Sequence, residues 1–228
     1  MFLNLIMKNM IEIDSKFPIG TTGKYILNNK LSIFIKERSD DDKFYYQLKQ
    51  RIFRIALLSD TIYGLSSKKR KSLDIVEAEY IAMLIELYFL YLRTLYDHFC
   101  LLIEKETGKK QPASFRKFIK NIRVNKSELK MKSEFIDFVK KDSGFEKLKS
   151  IRDSIKMGTP LVKVWLEKEE LFVEFSFCHS DKKVKEKCRE CGRQLIFNYS
   201  AITAIWMHVI SDMIINNDSA KHFSKKME

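Results

Sequence analysis

The 228-residue chain carries 42 Lys and Arg against 30 Asp and Glu, a formal net charge of +12, and 45% of its residues are hydrophobic. With only 7 Gly and 3 Pro, it is too apolar for a disordered chain and too poor in turn formers for a collagenous or turn-dense all-β protein, so helix is favoured. The length suffices for a full core without disulfide staples, and the basic excess fits either a solvated surface or a polyanionic partner whose counterions Lys and Arg displace.

In chain order, residues 1–8 are apolar but shorter than a signal-peptide core, with no small-residue cleavage site after them, and read as a packed first segment. Pro18, Gly20, Gly23 and Asn28-Asn29 interrupt short apolar runs up to residue 40. This segment reads as a loop-rich arm in which Ile33-Phe34-Ile35 is the most strand-like stretch. Ser39 followed by Asp40, Asp41 and Asp42 suits the positive end of a helix, and Phe44, Leu48, Ile52, Ile55 and Leu58 carry its apolar face toward Gly64. The longest helix is expected over about 73–106, bounded by Ser72 and by Gly108 and Pro112. Shorter helices fit 114–123, 133–141 and 144–157, the last ended by Gly158-Thr159-Pro160.

The pattern then alternates. Residues 161–166 and 171–177, joined by the charged turn Glu167-Lys168-Glu169-Glu170, predict a β-hairpin. A lysine-rich loop bearing cysteines leads to Leu195-Ile196-Phe197 and to a final helix over about 200–216. The expected fold is therefore mainly α, an up-and-down helical bundle with a β-hairpin outgrowth near the C-terminus. It divides into a loop-rich arm (1–40), a bundle (41–160), the hairpin with its cysteine-bearing loop (161–198) and a closing helix with tail (199–228). The only membrane candidate, 81–92, is bounded by charges well short of the roughly 20 apolar residues of a span. Four cysteines without a secretory signal point to a reducing compartment, with cytoplasm the default and no membrane partner.

On the long helix, Glu79, Glu86, Arg93, Asp97 and Glu104 fall on one narrow stripe with Leu90 and Cys100. The other faces are nearly all apolar. The stripe reads as the solvent face or as the polar wall of a cleft or dimer seam, and the aromatic wealth around it predicts a homodimer. Arg93 and His98 have four residues between them, but inside a continuous helix residues five apart point about 140° away from each other. They converge only across a dimer or at a helix break.

Cys188-Arg189-Glu190-Cys191-Gly192 has the spacing of a zinc-knuckle half-site. Cys178 is a third candidate ligand and His179 a fourth, although neighbours on a strand point apart, so that either a turn forms at His179 or another ligand such as His208 or His222 is recruited. Structural zinc and free or packed thiols both remain open here. No phosphate-binding Gly-rich loop, dinucleotide fingerprint, nucleophile elbow or His-Glu-x2-His is present, so no cofactor for catalysis is implied.

The stretch from Ile151-Arg152-Asp153 to Met157 closes a helix after two lysine-rich amphipathic ones. This order of helices, with a late Arg followed by a polar residue, resembles the HEPN superfamily (higher eukaryotes and prokaryotes nucleotide-binding) over residues 40–216. That family's motif is Arg, a polar residue, and a His four to six intervening residues after the Arg. The resemblance implies RNA as partner and, in nuclease members, metal-independent endoribonuclease activity of a toxin or phage-defence kind at a homodimer seam. Arg152 and Asp153 match its first two positions, and Arg93 with His98 matches its spacing. Met157 stands where the histidine of the first match belongs, and a thioether transfers no proton. With that position degenerate, the alternative is a non-catalytic dimeric module that binds a protein partner.

Overall fold

The computed structural model describes residues 22–141, 144–156, 162–178 and 185–217, without the side chains of Arg152, Cys178 and Cys188 among others. Side-chain caps set four of the helix starts among the described residues. Asn29 opens α2 (Lys30–Arg38) after the short α1 (Thr22–Leu27), and its carboxamide accepts from the Leu31 amide at 3.0 Å while donating to the Ala204 carbonyl at 3.1 Å. Asp42 caps α3 (Lys43–Ser67) through the Phe44 amide at 2.8 Å. Asp74 caps α4 (Ile75–Thr107), and Gly108 ends that helix in the left-handed conformation with its amide on the Glu104 carbonyl. Ser114 caps α5 (Phe115–Arg123), followed by α6 (Ser133–Lys141) and α7 (Gly144–Lys156).

The fold is mainly α, a helical bundle carrying a small antiparallel sheet near the C-terminal end. Strands β1 (Val162–Glu167), β2 (Glu170–Cys178) and β3 (Lys185–Cys191) form the sheet in that order, and α8 (Gly192–Asn217) closes the chain. No described helix is long and apolar enough to cross a membrane.

Two stretches differ from the sequence reading. Residues 22–27 and 30–38 are helical: Leu31 and Ile35, one turn apart, are buried while Ile33 is exposed, so Ile33-Phe34-Ile35 wraps around α2 instead of forming a strand. A three-residue apolar run carries no period, and the Asn29 cap decides it. The cysteine-bearing segment is a third strand instead of a loop, and α8 starts at Gly192, so Leu195, Ile196 and Phe197 are buried helical residues.

The hairpin turn is also tighter than expected. Lys168 (φ 51°) and Glu169 (φ 66°) alone make it, both in the left-handed region that Asn and Gly occupy more readily. Replacing Lys168-Glu169 with Asn-Gly should add about 1–2 kcal/mol. That corresponds to a rise of roughly 3–6 °C in Tm for a chain of this size, read by calorimetry. An unchanged or lower Tm would show that these two residues are not held at positive φ.

The core is aromatic. Phe115 packs within 4.8 Å of Trp206, 4.9 Å of Tyr96 and 5.2 Å of Phe145, ring centre to ring centre, joining α5, α8, α4 and α7. Phe89 links α4 to Phe175 of β2 (5.4 Å) and Tyr199 of α8 (4.8 Å). Between these clusters Ser200 meets Ser59 at 2.7 Å and the Tyr88 hydroxyl at 3.0 Å, all three buried, so each hydroxyl has a partner. Burial pushes the Tyr88 phenol well above its ordinary range. At the crossing of α1 and α3, Gly23 comes so close that a Cβ there would lie 2.5 Å from the Ala56 carbonyl oxygen. Its amide donates to Asp60 at 2.7 Å.

The charged stripe on α4 is not the solvent face. Glu79 is exposed, but Arg93 and Cys100 are buried and Glu86, Asp97 and Glu104 half-buried, because α5 and α7 cover that side. The exposed face, turned by roughly 85°, is apolar: Val76, Tyr80, Met83 and Leu87.

Candidate nucleic-acid interface

Arg93 and His98 lie on one unbroken stretch of α4 and do not meet. The Arg93 guanidinium is paired with the Asp97 carboxylate and lies 5.2 Å from the Phe145 ring centre. Asp97 also accepts the Phe115 amide at 3.0 Å, the first residue of α5. This trio ties α4 to α5 and α7 and withdraws Arg93 from solvent. His98, half-buried, bonds through Nδ1 to the Thr94 carbonyl at 2.8 Å. Beside the trio, burial and the Asp97 charge push the Cys100 thiol up to about 12.

Arg152 and Asp153 stand on α7, with Asp153 half-buried. Arg152 lies seven residues, about 10 Å along the axis, beyond the Phe145 that packs on Arg93. Met157 lies outside the described residues.

Of the four proposed zinc ligands, His179 also lies outside them. The strand register pairs Cys188 with Phe175, Cys191 with Phe172 and Cys178 with Lys185. Cys188 and Cys191 are thus three strand positions apart, about 10 Å along the strand. Two thiolates sharing a zinc lie within about 4 Å of each other. Over Cys188–Cys191 the described backbone is extended where a knuckle would need a turn, and the side chains of Cys178 and Cys188 lie outside the described residues with His179. Among the described residues no group of three or more His, Cys, Asp or Glu could hold a metal ion.

The structure instead draws attention to the surface of α5 and α6. Phe115, Phe118, Ile119 and Ile122 bury one side of α5, leaving Arg116, Lys117 and Lys120 exposed on the other. Arg123 Nε donates to the Val139 carbonyl at 3.1 Å, bringing the C-terminal ends of α5 and α6 together, with Lys140 and Lys141 exposed beside them. Lys126 and Lys130 stand exposed on the intervening loop, which Asn217 of α8 fixes by accepting the Lys130 amide at 2.7 Å and donating to its carbonyl at 2.8 Å. Among the described residues, Arg116, Lys117, Lys120, Lys126, Lys140 and Lys141 have no carboxylate partner.

This concentration is legible in the sequence. Residues 109–156 hold 15 of the 42 Lys and Arg but 6 of the 30 Asp and Glu. A windowed charge count finds it, whereas the whole-chain balance makes the charge look evenly spread. The tighter run Lys68-Lys69-Arg70-Lys71 is partly neutralised, since Arg70 pairs with Glu77 and donates to the Leu65 carbonyl.

No family model matches the chain, and no match was found among curated proteins or among solved structures.

Proposed function

We propose that this is an RNA-binding protein whose contact surface is the basic face of α5, the loop after it and the end of α6. The observation that carries the reading is the row of exposed, acid-free Arg116, Lys117 and Lys120 on a helix whose opposite side is locked into the aromatic core. Such a rigid array offers phosphates several cations at no ordering cost to the backbone, and each contact releases a counterion. The resemblance to HEPN proteins, built on the same lysine-rich helices and Arg152-Asp153, is the reason for choosing RNA among polyanions. The reading assigns binding, not cleavage, to this surface. Arg93 is engaged by Asp97, and His98 faces elsewhere, so no phosphate within one protomer is held between them.

The test is fluorescence anisotropy with a labelled single-stranded RNA of mixed sequence, titrated over 50–200 mM salt. Binding should weaken steeply with salt. The triple variant Arg116→Glu, Lys117→Glu, Lys120→Glu should bind at least tenfold more weakly and make the log–log salt slope shallower by about 2, at roughly 0.7 per lost contact. Reversing Lys24, Lys36 and Lys43, exposed on α1, α2 and α3, should change affinity less than threefold. Equal losses in both variants would reduce the effect to net charge and remove the assigned surface. The RNA should be recovered intact with or without EDTA. Cleavage that survives EDTA and falls about a hundredfold in His98→Ala would instead make the protein an endoribonuclease.

A further inference from the structure

The exposed face of α4 carries Val76, Tyr80, Met83 and Leu87 at helical spacings of four, three and four, and α3 beside it exposes Phe53 and Leu57. The two helices run antiparallel, and Arg54 donates to the Tyr91 hydroxyl at 3.2 Å, which sets their level and brings Leu57 alongside Leu87. About half of each of these six side chains is bare. At about 200 Å² for a large side chain, that leaves on the order of 600 Å² of apolar surface. This is at the upper limit of what monomers leave open, and with the intervening atoms it approaches the ~800 Å² per partner of a stable interface.

The charges beside the stripe are arranged with opposite sign on its two sides. Glu79 and Glu86 flank it on one side, and no cation pairs with either among the described residues. Burial first, and then the Glu79 charge, raises the Glu86 carboxyl above its ordinary range. Tyr91, five residues on and therefore about 140° around the helix, marks the other side. There Arg54, exposed, has the Tyr91 hydroxyl and ring but no carboxylate among the described residues.

From this arrangement we infer that the α3–α4 face is the seam of a homodimer, the occupant being the same face of a second copy about a two-fold axis running along α4. Such an axis lays Val76, Tyr80, Met83 and Leu87 against their counterparts and turns the acidic side of one copy toward the basic side of the other. Arg54 of one copy then stands about 7–8 Å along the helix from Glu86 of its mate, within reach of two long side chains. A two-fold axis across the helices would instead turn the acidic side of each copy toward the acidic side of the other. The seam is independent of the basic α5–α6 surface, so RNA binding and dimerisation can fail separately.

Light scattering coupled to gel filtration at micromolar concentration should give twice the 27.1 kDa chain mass. Met83→Glu with Leu87→Glu should give monomer at unchanged far-ultraviolet dichroism. Glu86→Arg and Arg54→Glu should each weaken the dimer at least tenfold in sedimentation equilibrium, and the double swap should restore it to within about threefold. A wild-type monomer, whether the stripe is bare or covered by residues 1–21, would overturn the inference. So would charge variants whose losses simply add in the double swap.

Discussion

Asp97→Ala should lower folding stability by about 3–5 kcal/mol, because it leaves the buried Arg93 guanidinium without its counter-charge and removes the acceptor for the Phe115 amide. Urea denaturation would read this as a fall in midpoint at unchanged slope. Asp97→Asn should cost clearly less, since its amide oxygen still accepts both hydrogen bonds. A loss below about 1 kcal/mol in the alanine variant would mean that Arg93 reaches solvent and is free to meet a phosphate. The same substitution therefore separates a structural Arg93 from a phosphate-gripping one.

Trp206→Ala should cost about 3–5 kcal/mol, the range for truncating a fully buried large aromatic side chain. Its ring contacts Phe115, Phe138 and Tyr96, so it joins α8 to α4, α5 and α6. Trp206→Phe, which leaves a smaller void, should cost less. The consequence reaches the surface: once α5 loses its support, the Arg116, Lys117 and Lys120 array is no longer fixed, and RNA affinity should fall although no charge has changed. Affinity equal to that of the parent in a folded Trp206→Ala protein would show that the array needs no rigid backing.

The long α4, the three short helices after it and the hairpin are written in the sequence because each carries a clear period, with Ser72, Gly108, Ser114 and the charged turn as signals, although Asp74 and not Ser72 caps α4. Elements without such a signal escape a sequence reading. The α2 helix hides behind a three-residue apolar run, and β3, reading Lys-Glu-Lys-Cys-Arg-Glu-Cys, owes its conformation to pairing with β2 and not to its own composition. The α4 stripe shows the same limit from the other side. Charged residues at helical spacing mark a polar face, but only the tertiary neighbours reveal that Arg93 and Asp97 are used to hold α5 while the open face is Val76, Tyr80, Met83 and Leu87. Of the candidate site, the Arg93–His98 separation follows from helix geometry alone. The basic α5–α6 surface requires local charge and burial to be read together.

Photo-cross-linking to a single-stranded RNA containing 4-thiouridine, with the attached peptides located by mass spectrometry, distinguishes the α5–α6 surface from the Arg93 and His98 region as the RNA contact. Adducts should concentrate in residues 115–141, on or beside Arg116, Lys117, Lys120 and Lys140, and should be lost in the Arg116→Glu, Lys117→Glu, Lys120→Glu variant. Adducts concentrated around Arg93, His98 and Arg152, with 115–141 unmodified, would contradict it.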